Sequence, residues 1–380
     1  MNAHQPAVLF VSDIPDSHEH AIEENSVNKH YQRPFYQLAQ KSLGNQFEHR
    51  YLILKTSHGK SYVQLLFLVN QNIFEGLAPV FRQLLTKWAP RRLSEIRMLM
   101  VGCPTGEGAL AGNGPDGHEI SQLLREHLHR IARELKVSLI VFKDFPASYR
   151  DILSPLLSAS YIRIPSFPAC KIDLIYQDFE DYLKQALSRN TRKDLYRKFR
   201  EADRFGQFSM EVIEDFTPVL DEIYPLYCQV LARSKFKFEI LTKDYFAGLG
   251  KALGGSGRFF IWRDTSGKIV AFNLCVLEKK VLRDCYIGLD YQIALAAHLY
   301  FVSFRDIISW AIRHNLEQYY TSPLNYSSKL HLKMDLAPLD LYIRHVNPAI
   351  NFLCRYLMPA LEPTQYDPLL PKFQNYKDLR

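Results

Sequence analysis

No Cys-x-x-Cys pair occurs in these 380 residues. The six cysteines, Cys103, Cys170, Cys228, Cys275, Cys285 and Cys354, stand apart. That excludes a zinc ribbon and a thioredoxin-type dithiol, and it fits free thiols in a reducing compartment. A long uninterrupted apolar run is missing too. The most apolar stretch, Ala294 to Ile312, is broken by His298, Arg305 and Asp306. A membrane-spanning helix needs ~20 mostly apolar residues, so a buried core helix is expected here. Near the N-terminus only Ala7 to Val11 is apolar. This is too short for the hydrophobic region of a secretory leader, and a cytoplasmic protein is expected. No Gly-x-Ser-x-Gly nucleophile elbow is present. The Gly-rich stretch from Gly102 to Gly117 has neither the Lys-Ser/Thr of a P-loop nor a dinucleotide-binding spacing. Its plain reading is a long turn, with an anion cradle ahead of a helix as the alternative. His127 and His129 would diverge by about 200° on a helix and cannot share a metal there, and no metal is expected.

What is present is ordinary globular material. Hydrophobic residues make up 47% and charged residues 23% of the chain, the mix of a packed protein rather than a disordered one. The 47 basic against 40 acidic residues leave a net charge of +7. That suits an anionic ligand without the signature of a nucleic-acid binder. The length calls for two domains or one duplicated fold.

Along the chain, strands are expected over Arg50–Lys55, Tyr62–Val69 and Ile96–Val101, and a helix over Leu77–Trp88. Ile120, Leu123, Leu124, Leu128, Ile131 and Leu135 then mark one face of a clear amphipathic helix. Val137–Phe142 reads as a strand, Tyr149–Leu157 as a weak helix, and Tyr161–Ile164 as a strand. Asp181–Arg204 reads as one long basic helix. The second half repeats the pattern: a hairpin, Phe259–Arg263 and Ile269–Leu277, around Asp264-Thr265-Ser266-Gly267, then a strand Val281–Gly288, a helix Leu299–His314, and strands Leu316–Tyr320 and Leu339–His345. Val137 and Leu316, and Tyr161 and Leu341, fall about 180 residues apart, an architectural repeat without sequence identity.

Three segments carry a resemblance. Leu187-Ser188-Arg189-Asn190-Thr191-Arg192-Lys193-Asp194-Leu195, followed by Arg197-Lys198, resembles the linker helix of FemAB-like and related GNAT acetyltransferases. Cys285-Tyr286-Ile287-Gly288-Leu289-Asp290 resembles the central strand of their second domain and the turn after it. Pro323-Leu324-Asn325-Tyr326-Ser327-Ser328-Lys329, with Pro338-Leu339-Asp340-Leu341-Tyr342, resembles their late Lys-bearing loop and final strand. Two departures stand out. Tyr326-Ser327-Ser328 replaces the Gly-Glu-His of some relatives, and no pyrophosphate loop follows Asp290, where Tyr291-Gln292-Ile293-Ala294-Leu295-Ala296-Ala297 stands instead.

The resemblance implies an α/β protein with mixed sheets, built as two tandem GNAT-like domains joined by the basic helix. The expected layout is a loose segment over 1–40, a first domain over 41–178, the joining helix over 179–206, a second and catalytic domain over 207–350, and a C-terminal helix and Pro-rich tail over 351–380. The resemblance implies an acyltransferase moving an acyl group from acyl-CoA, such as acetyl-CoA, to an amine of a small molecule or cell-envelope precursor. The alternatives are an aminoacyl-tRNA-dependent transferase of the Fem type and a non-catalytic GNAT-like binding protein.

Transfer to an amine needs a neutral nucleophile, a stabilised oxyanion and a proton for the leaving group. Asp290, just past a strand, is a candidate to orient or deprotonate the amine, with helix capping as its ordinary role. Tyr286, expected on the strand face of Asp284, is a candidate proton donor, with packing as the alternative. His298, at a helix start, is a candidate base. The family match adds binding roles for Lys329, Tyr291, Asn325 and Tyr326, and for Arg192 and Lys193 on the basic helix. Lys329 is expected in a loop, gripping a phosphate or carboxylate, with Lys333 as the alternative in register. A solvated Lys329 should change stability by no more than about 0.5 kcal/mol when truncated.

Overall fold

The computed structural model describes residues 7–14, 33–72, 95–112, 114–234 and 237–380. The helix expected over Leu77–Trp88 lies outside the described residues. The chain divides into two compact units, one comprising residues up to Pro168 together with Ala337–Arg380, the other Ala169–Leu336. Each is built on one mixed seven-stranded sheet.

The first unit runs β1 (Ala7–Val11), α1 (Arg33–Leu43), β2 (Glu48–Lys55), β3 (Ser61–Asn72), β4 (Glu95–Val101), α2 (Gly114–Glu134), β5 (Leu139–Pro146), α3 (Ser154–Ser158) and β6 (Ile162–Pro165). The second runs β7 (Ala169–Asp173), α4 (Phe179–Ala186), α5 (Arg189–Asp203), β8 (Ser209–Ile213), α6 (Leu220–Arg233), α7 (Lys243–Leu253), β9 (Gly257–Arg263), β10 (Ile269–Glu278), β11 (Val281–Leu289), α8 (Leu299–Arg313), β12 (Gln318–Thr321), α9 (Tyr326–His331) and β13 (Asp335–Ala337). The chain then returns to the first unit with β14 (Leu339–His345) and α10 (Pro348–Leu361).

The sheet orders are β1-β2-β3-β4-β5-β14-β6 and β13-β7-β12-β11-β10-β9-β8. Read in opposite directions they correspond strand for strand, so the architectural repeat is real. One expected pairing changes. The strand at Leu339–His345 is not the second unit's counterpart of Tyr161–Ile164: it inserts between β5 and β6, with Leu341 opposite Ile164. In exchange, β7 joins β12 in the second sheet. Each unit therefore takes its inserted strand from the stretch that follows the other's sixth strand. The boundaries expected at 178 and 350 move to Pro168 and Leu336 for this reason.

The N-terminal segment expected to be loose contributes β1, paired antiparallel with β2, and the start of α1. The single basic helix is two helices, both inside the second unit. Ser188 breaks it: its backbone is extended, and its side chain accepts the Thr191 N–H as an N-cap. The weak helix at Tyr149–Leu157 is a 3₁₀ turn, Ala147–Tyr149, followed by short α3. No helix among the described residues is long and apolar enough to cross a membrane.

Periodicity explains the best-defined elements. On α2, Ile120, Leu123, Leu124, Leu128 and Ile131 are buried against the first sheet's core, as their spacing requires. The β9–β10 hairpin closes because the Asp264 carboxylate accepts the Ser266 and Lys268 N–H groups while Gly267 takes φ +86°.

In each unit the crossover helix returns the chain to a parallel neighbour, β4 to β5 and β11 to β12. Both parallel pairs are short. In the first, pairing stops at Val101 and Phe142, although β5 continues to Pro146. The Gly-rich loop folds back onto that continuation. The Gly108 N–H donates to the Asp144 carbonyl at 2.9 Å and Lys143 Nζ to the Gly106 carbonyl at 2.9 Å. A Cβ on Gly108 would meet the Lys143 carbonyl oxygen at 2.3 Å. Only glycine lets the loop approach this closely, and the loop occupies the place where the first pair opens.

Candidate functional site

In the second unit, β11 and β12 pair from Val281/Gln318 to Asp284/Thr321 and then part, while β11 continues to Leu289. The last bond across the pair is from the Ser322 N–H to the Asp284 carbonyl, at 3.2 Å. At that point β11 also carries a bulge. Leu274 faces Tyr286 and Cys275 faces Asp284, so Cys285 is the extra residue. A bulge turns the following side chains away from the alternation of a regular strand. Asp284 and Tyr286, expected on one face, accordingly have different neighbours. Asp284 meets Tyr319 and Asn273, whereas Tyr286 meets Glu239 and the Tyr227 ring. Beyond the bulge, Gly288 leaves no room for a side chain, since a Cβ would lie 2.0 Å from the Phe272 ring.

Asp284 is the centre of a polar cluster. Its Oδ2 accepts the Tyr319 hydroxyl at 2.6 Å and the Asn273 amide at 2.8 Å. Burial raises its carboxyl pKa, and those two donors oppose the rise. Asn273 is 3% exposed, and its Oδ1 has no hydrogen-bond partner among the described residues.

Lys329 faces this cluster. It does not sit in a solvated loop: it is on the inward side of α9 with Tyr326, three residues earlier, and only 4% exposed. Its Nζ donates to the Ser322 carbonyl. Burial lowers its pKa from 10.5 to about 8, against the opposing effects of Cys170 and Asp284. The entry to α9 is strained: Leu324 and Asn325 both have positive φ, 71° and 51°. Asparagine tolerates this conformation and leucine does not, so the turn is held by its surroundings. At the far end, the Leu332 carbonyl accepts the Tyr182 hydroxyl of α4 at 2.5 Å. Tyr300 of α8 completes the group through a side-chain bond to Asn325, and burial pushes its phenol up. Lys333, the alternative lysine, is exposed at φ 54°.

The other candidates lie elsewhere or are held by neighbours. Asp290 is buried, but Oδ2 accepts Lys268 Nζ at 2.6 Å and Oδ1 accepts the Gln292 N–H at 3.0 Å. It caps the turn leading to α8. Tyr286 donates its hydroxyl to Glu239 Oε1 at 2.7 Å, and burial drives its phenol pKa well up. His298 takes a left-handed conformation at the start of α8, with Nε2 2.8 Å from Glu201 Oε2. Tyr291 lies under the Arg233 guanidinium, 4.0 Å from its ring centroid, and its N–H donates to Gln229.

On the basic helices, Arg192 Nη1 donates to the carbonyls of Leu187, at 2.7 Å, and Lys184, closing the end of α4. Lys193 is exposed. Much of the remaining charge is neutralised locally. Asp194 pairs with Arg197 and Lys198, and Glu201 with Arg197. The structure thus brings Lys329, Tyr326 and Asn325 together with Asp284, Asn273, Tyr319 and Tyr300, and it does not bring Asp290, Tyr286, His298, Tyr291, Arg192 or Lys193 into that cluster.

The turn after β11 has few N–H groups to offer an anion. Those of Ile293 and Ala294 donate to the Asp290 carbonyl, those of Ala297 and His298 to Ile293 and Leu295, and that of Leu299 to Ala294. The missing pyrophosphate loop thus corresponds to a turn that spends most of its donors on itself. No group of three or more His, Cys, Asp or Glu able to hold a metal occurs among the described residues.

Residues 189–326 match the family described as the acetyltransferase (GNAT) domain. No curated protein sequence matches the chain. Among solved structures, L-PGS from Bacillus licheniformis is similar with a TM-score of 0.55 at 13% identity, covering 92% of this chain and 97% of that one. FemX is similar with a TM-score of 0.54 at 11% identity, covering 91% of this chain and 100% of that one. A conserved protein of unknown function from Bacteroides thetaiotaomicron gives 0.51 at 14% identity, covering 89% and 99%. At these identities the likeness is one of fold.

Proposed function

We propose, from the premise that this chain is a GNAT protein of FemAB-like fold, that its second unit transfers an acyl group from an acyl-CoA to an amine where β11 and β12 part. The observation that carries this reading is Lys329, a buried lysine with its pKa lowered to about 8, facing the end of the parallel pair. A lysine so placed is partly neutral near physiological pH and can take the proton that the attacking ammonium must lose. After the strands part, the continuing β11 backbone offers N–H groups to a thioester carbonyl, whose oxygen gains charge as the amine adds. The Asp284 charge favours the proton-bearing Lys329, and the unpartnered Asn273 Oδ1 provides an acceptor for a substrate N–H. No covalent enzyme intermediate is needed; the two substrates are juxtaposed.

The acyl-CoA donor fits the strand opening better than it fits the turn after it, most of whose N–H groups are spent internally. That observation favours, as a second reading, a donor held without a pyrophosphate cradle, such as an aminoacyl-tRNA. Native mass spectrometry with acetyl-CoA, longer acyl-CoAs and charged tRNA separates the two. One acyl-CoA per chain is expected, because the first unit's opening is filled by its own loop. Binding of charged tRNA with none of the acyl-CoAs would move the assignment to the second reading.

A further inference from the structure

The C-terminal helix α10 is turned inside out. It packs on β14 and β6 with Asn351 and Cys354 buried, and Asn351 is its anchor. The Asn351 amide donates to the Ser160 carbonyl at 2.9 Å and its Oδ1 accepts the His345 N–H at 2.8 Å. The polar residue therefore faces the protein. The outward side carries Ile350, Phe352, Leu353, Tyr356 and Leu357, exposed by 44%, 57%, 58%, 65% and 54%. At about 100° per residue these five, with the alanines and proline between them, fill roughly half the helix circumference. No polar or charged side chain interrupts that arc except the Tyr356 hydroxyl. A helix that needed only to cover the sheet would rotate this face inward. Held outward by two hydrogen bonds, it presents five large apolar side chains together on one arc, the kind of contiguous patch that marks an interaction surface.

We infer that α10 is a docking face for an anionic lipid surface, on which it lies along the headgroup boundary. Charge selects this occupant. Arg355 is the only charged residue of the helix, it is exposed, and it lies at the margin of the apolar arc; no carboxylate occurs between Pro348 and Leu361. Glu362, next in the chain, is buried and within 3.5 Å of Arg380. The chain as a whole is cationic by +7. A protein partner would ask for polar pairings across its contact, about one hydrogen bond per 100–200 Å², and this arc offers a single hydroxyl. The 14 residues of α10, at 1.5 Å each, run about 21 Å, a length that lies in an interface and does not span it. Phe352 and Tyr356, packed edge to face at 5.4 Å, supply an apolar body with one polar tip, the pattern suited to headgroup depth.

Docking through α10 requires no catalytic step and is measured without activity. The full chain is sedimented with vesicles of phosphatidylcholine alone and of phosphatidylcholine with phosphatidylglycerol. Sedimentation velocity without vesicles gives the oligomeric state. Binding is expected to both vesicles and to be tighter to the anionic ones. The double variant Phe352→Ser with Leu357→Ser should weaken binding to either at least about tenfold. Arg355→Gln should weaken it about fivefold on the anionic vesicles alone. Circular dichroism checks that the variants remain folded, as surface substitutions should. Wild-type protein left in the supernatant of both vesicles would overturn the inference. So would a dimer without lipid that the double variant dissociates, which would assign the face to a second copy of the chain.

Discussion

Replacing Lys329 by alanine should lower kcat/KM for acyl transfer by about 10²–10⁴, the usual contribution of a positioned acid–base group. Lys333→Ala should leave it within a few-fold, because that side chain is on the surface. Steady-state release of free thiol from the acyl-CoA, followed against amine concentration, reads both. Arginine at 329 is a sharper control. It preserves the cation but cannot surrender its proton in the working range, so a base role predicts a loss as deep as alanine's, and an anion-holding role predicts substantial rescue. Full activity in Lys329→Ala with loss in Lys333→Ala would transfer the role to the other lysine.

The same residue should trade stability for function. In the native protein its pKa falls from 10.5 to about 8 because burial opposes the charged form. Below pH 8 the side chain is charged in both the folded and the unfolded chain, so the cost of burying the charge is present in full. Between about 8 and 10.5 the native lysine gives up its proton while the unfolded one keeps it. The unfolded state then binds more protons, and stability rises with pH. Above 10.5 both forms are neutral and the cost is gone. That lowering from 10.5 to about 8 corresponds to about 3 kcal/mol. Lys329→Met, apolar and of similar length, should therefore stabilise the protein by up to about 3 kcal/mol near pH 7. That gain should shrink through pH 8–10.5 and vanish above. Denaturant unfolding at a series of pH values gives the difference directly. A methionine variant less stable than wild type at pH 7 would mean that the bond to Ser322 and the Asp284 charge outweigh the desolvation.

How much of this was readable beforehand depends on how local the cause is. The α2 helix was legible because its apolar residues recur at helical spacing within one segment. The β9–β10 hairpin was legible because Asp264 and Gly267 define its turn. Lys329 could be singled out, but its environment could not: burial comes from the left-handed pair Leu324–Asn325, which turns α9 inward, and from Tyr182, 150 residues away from its partner Leu332. Lys329's partners Asp284, Asn273, Tyr319 and Tyr300 are not singled out by the sequence, since β10, β11 and β12 are brought together only by strand order. One signal did point to this cluster. Asn273 interrupts the otherwise apolar run Ile269–Leu277, and a polar side chain inside such a strand needs a partner. The bulge at Cys285 and the exchange of β7 and β14 left no local mark. Both choices are settled by long-range pairing, and the alternation of each strand fits either sheet equally well. The apolar run of α10 would ordinarily be read as a buried face, and the buried hydrogen bonds of Asn351 are what turn it outward.

The pH dependence of kcat/KM tests the account most directly, because it reads the proton on Lys329 during acyl transfer rather than the consequence of removing the side chain. With an acceptor amine whose own pKa lies well away from 8, the rate constant should rise tenfold per pH unit on the acid side. It should level off above about pH 8, the value to which burial brings Lys329. A profile that stays flat from pH 6 to 9 for the wild-type enzyme, with the same acceptor, would contradict Lys329 as the base.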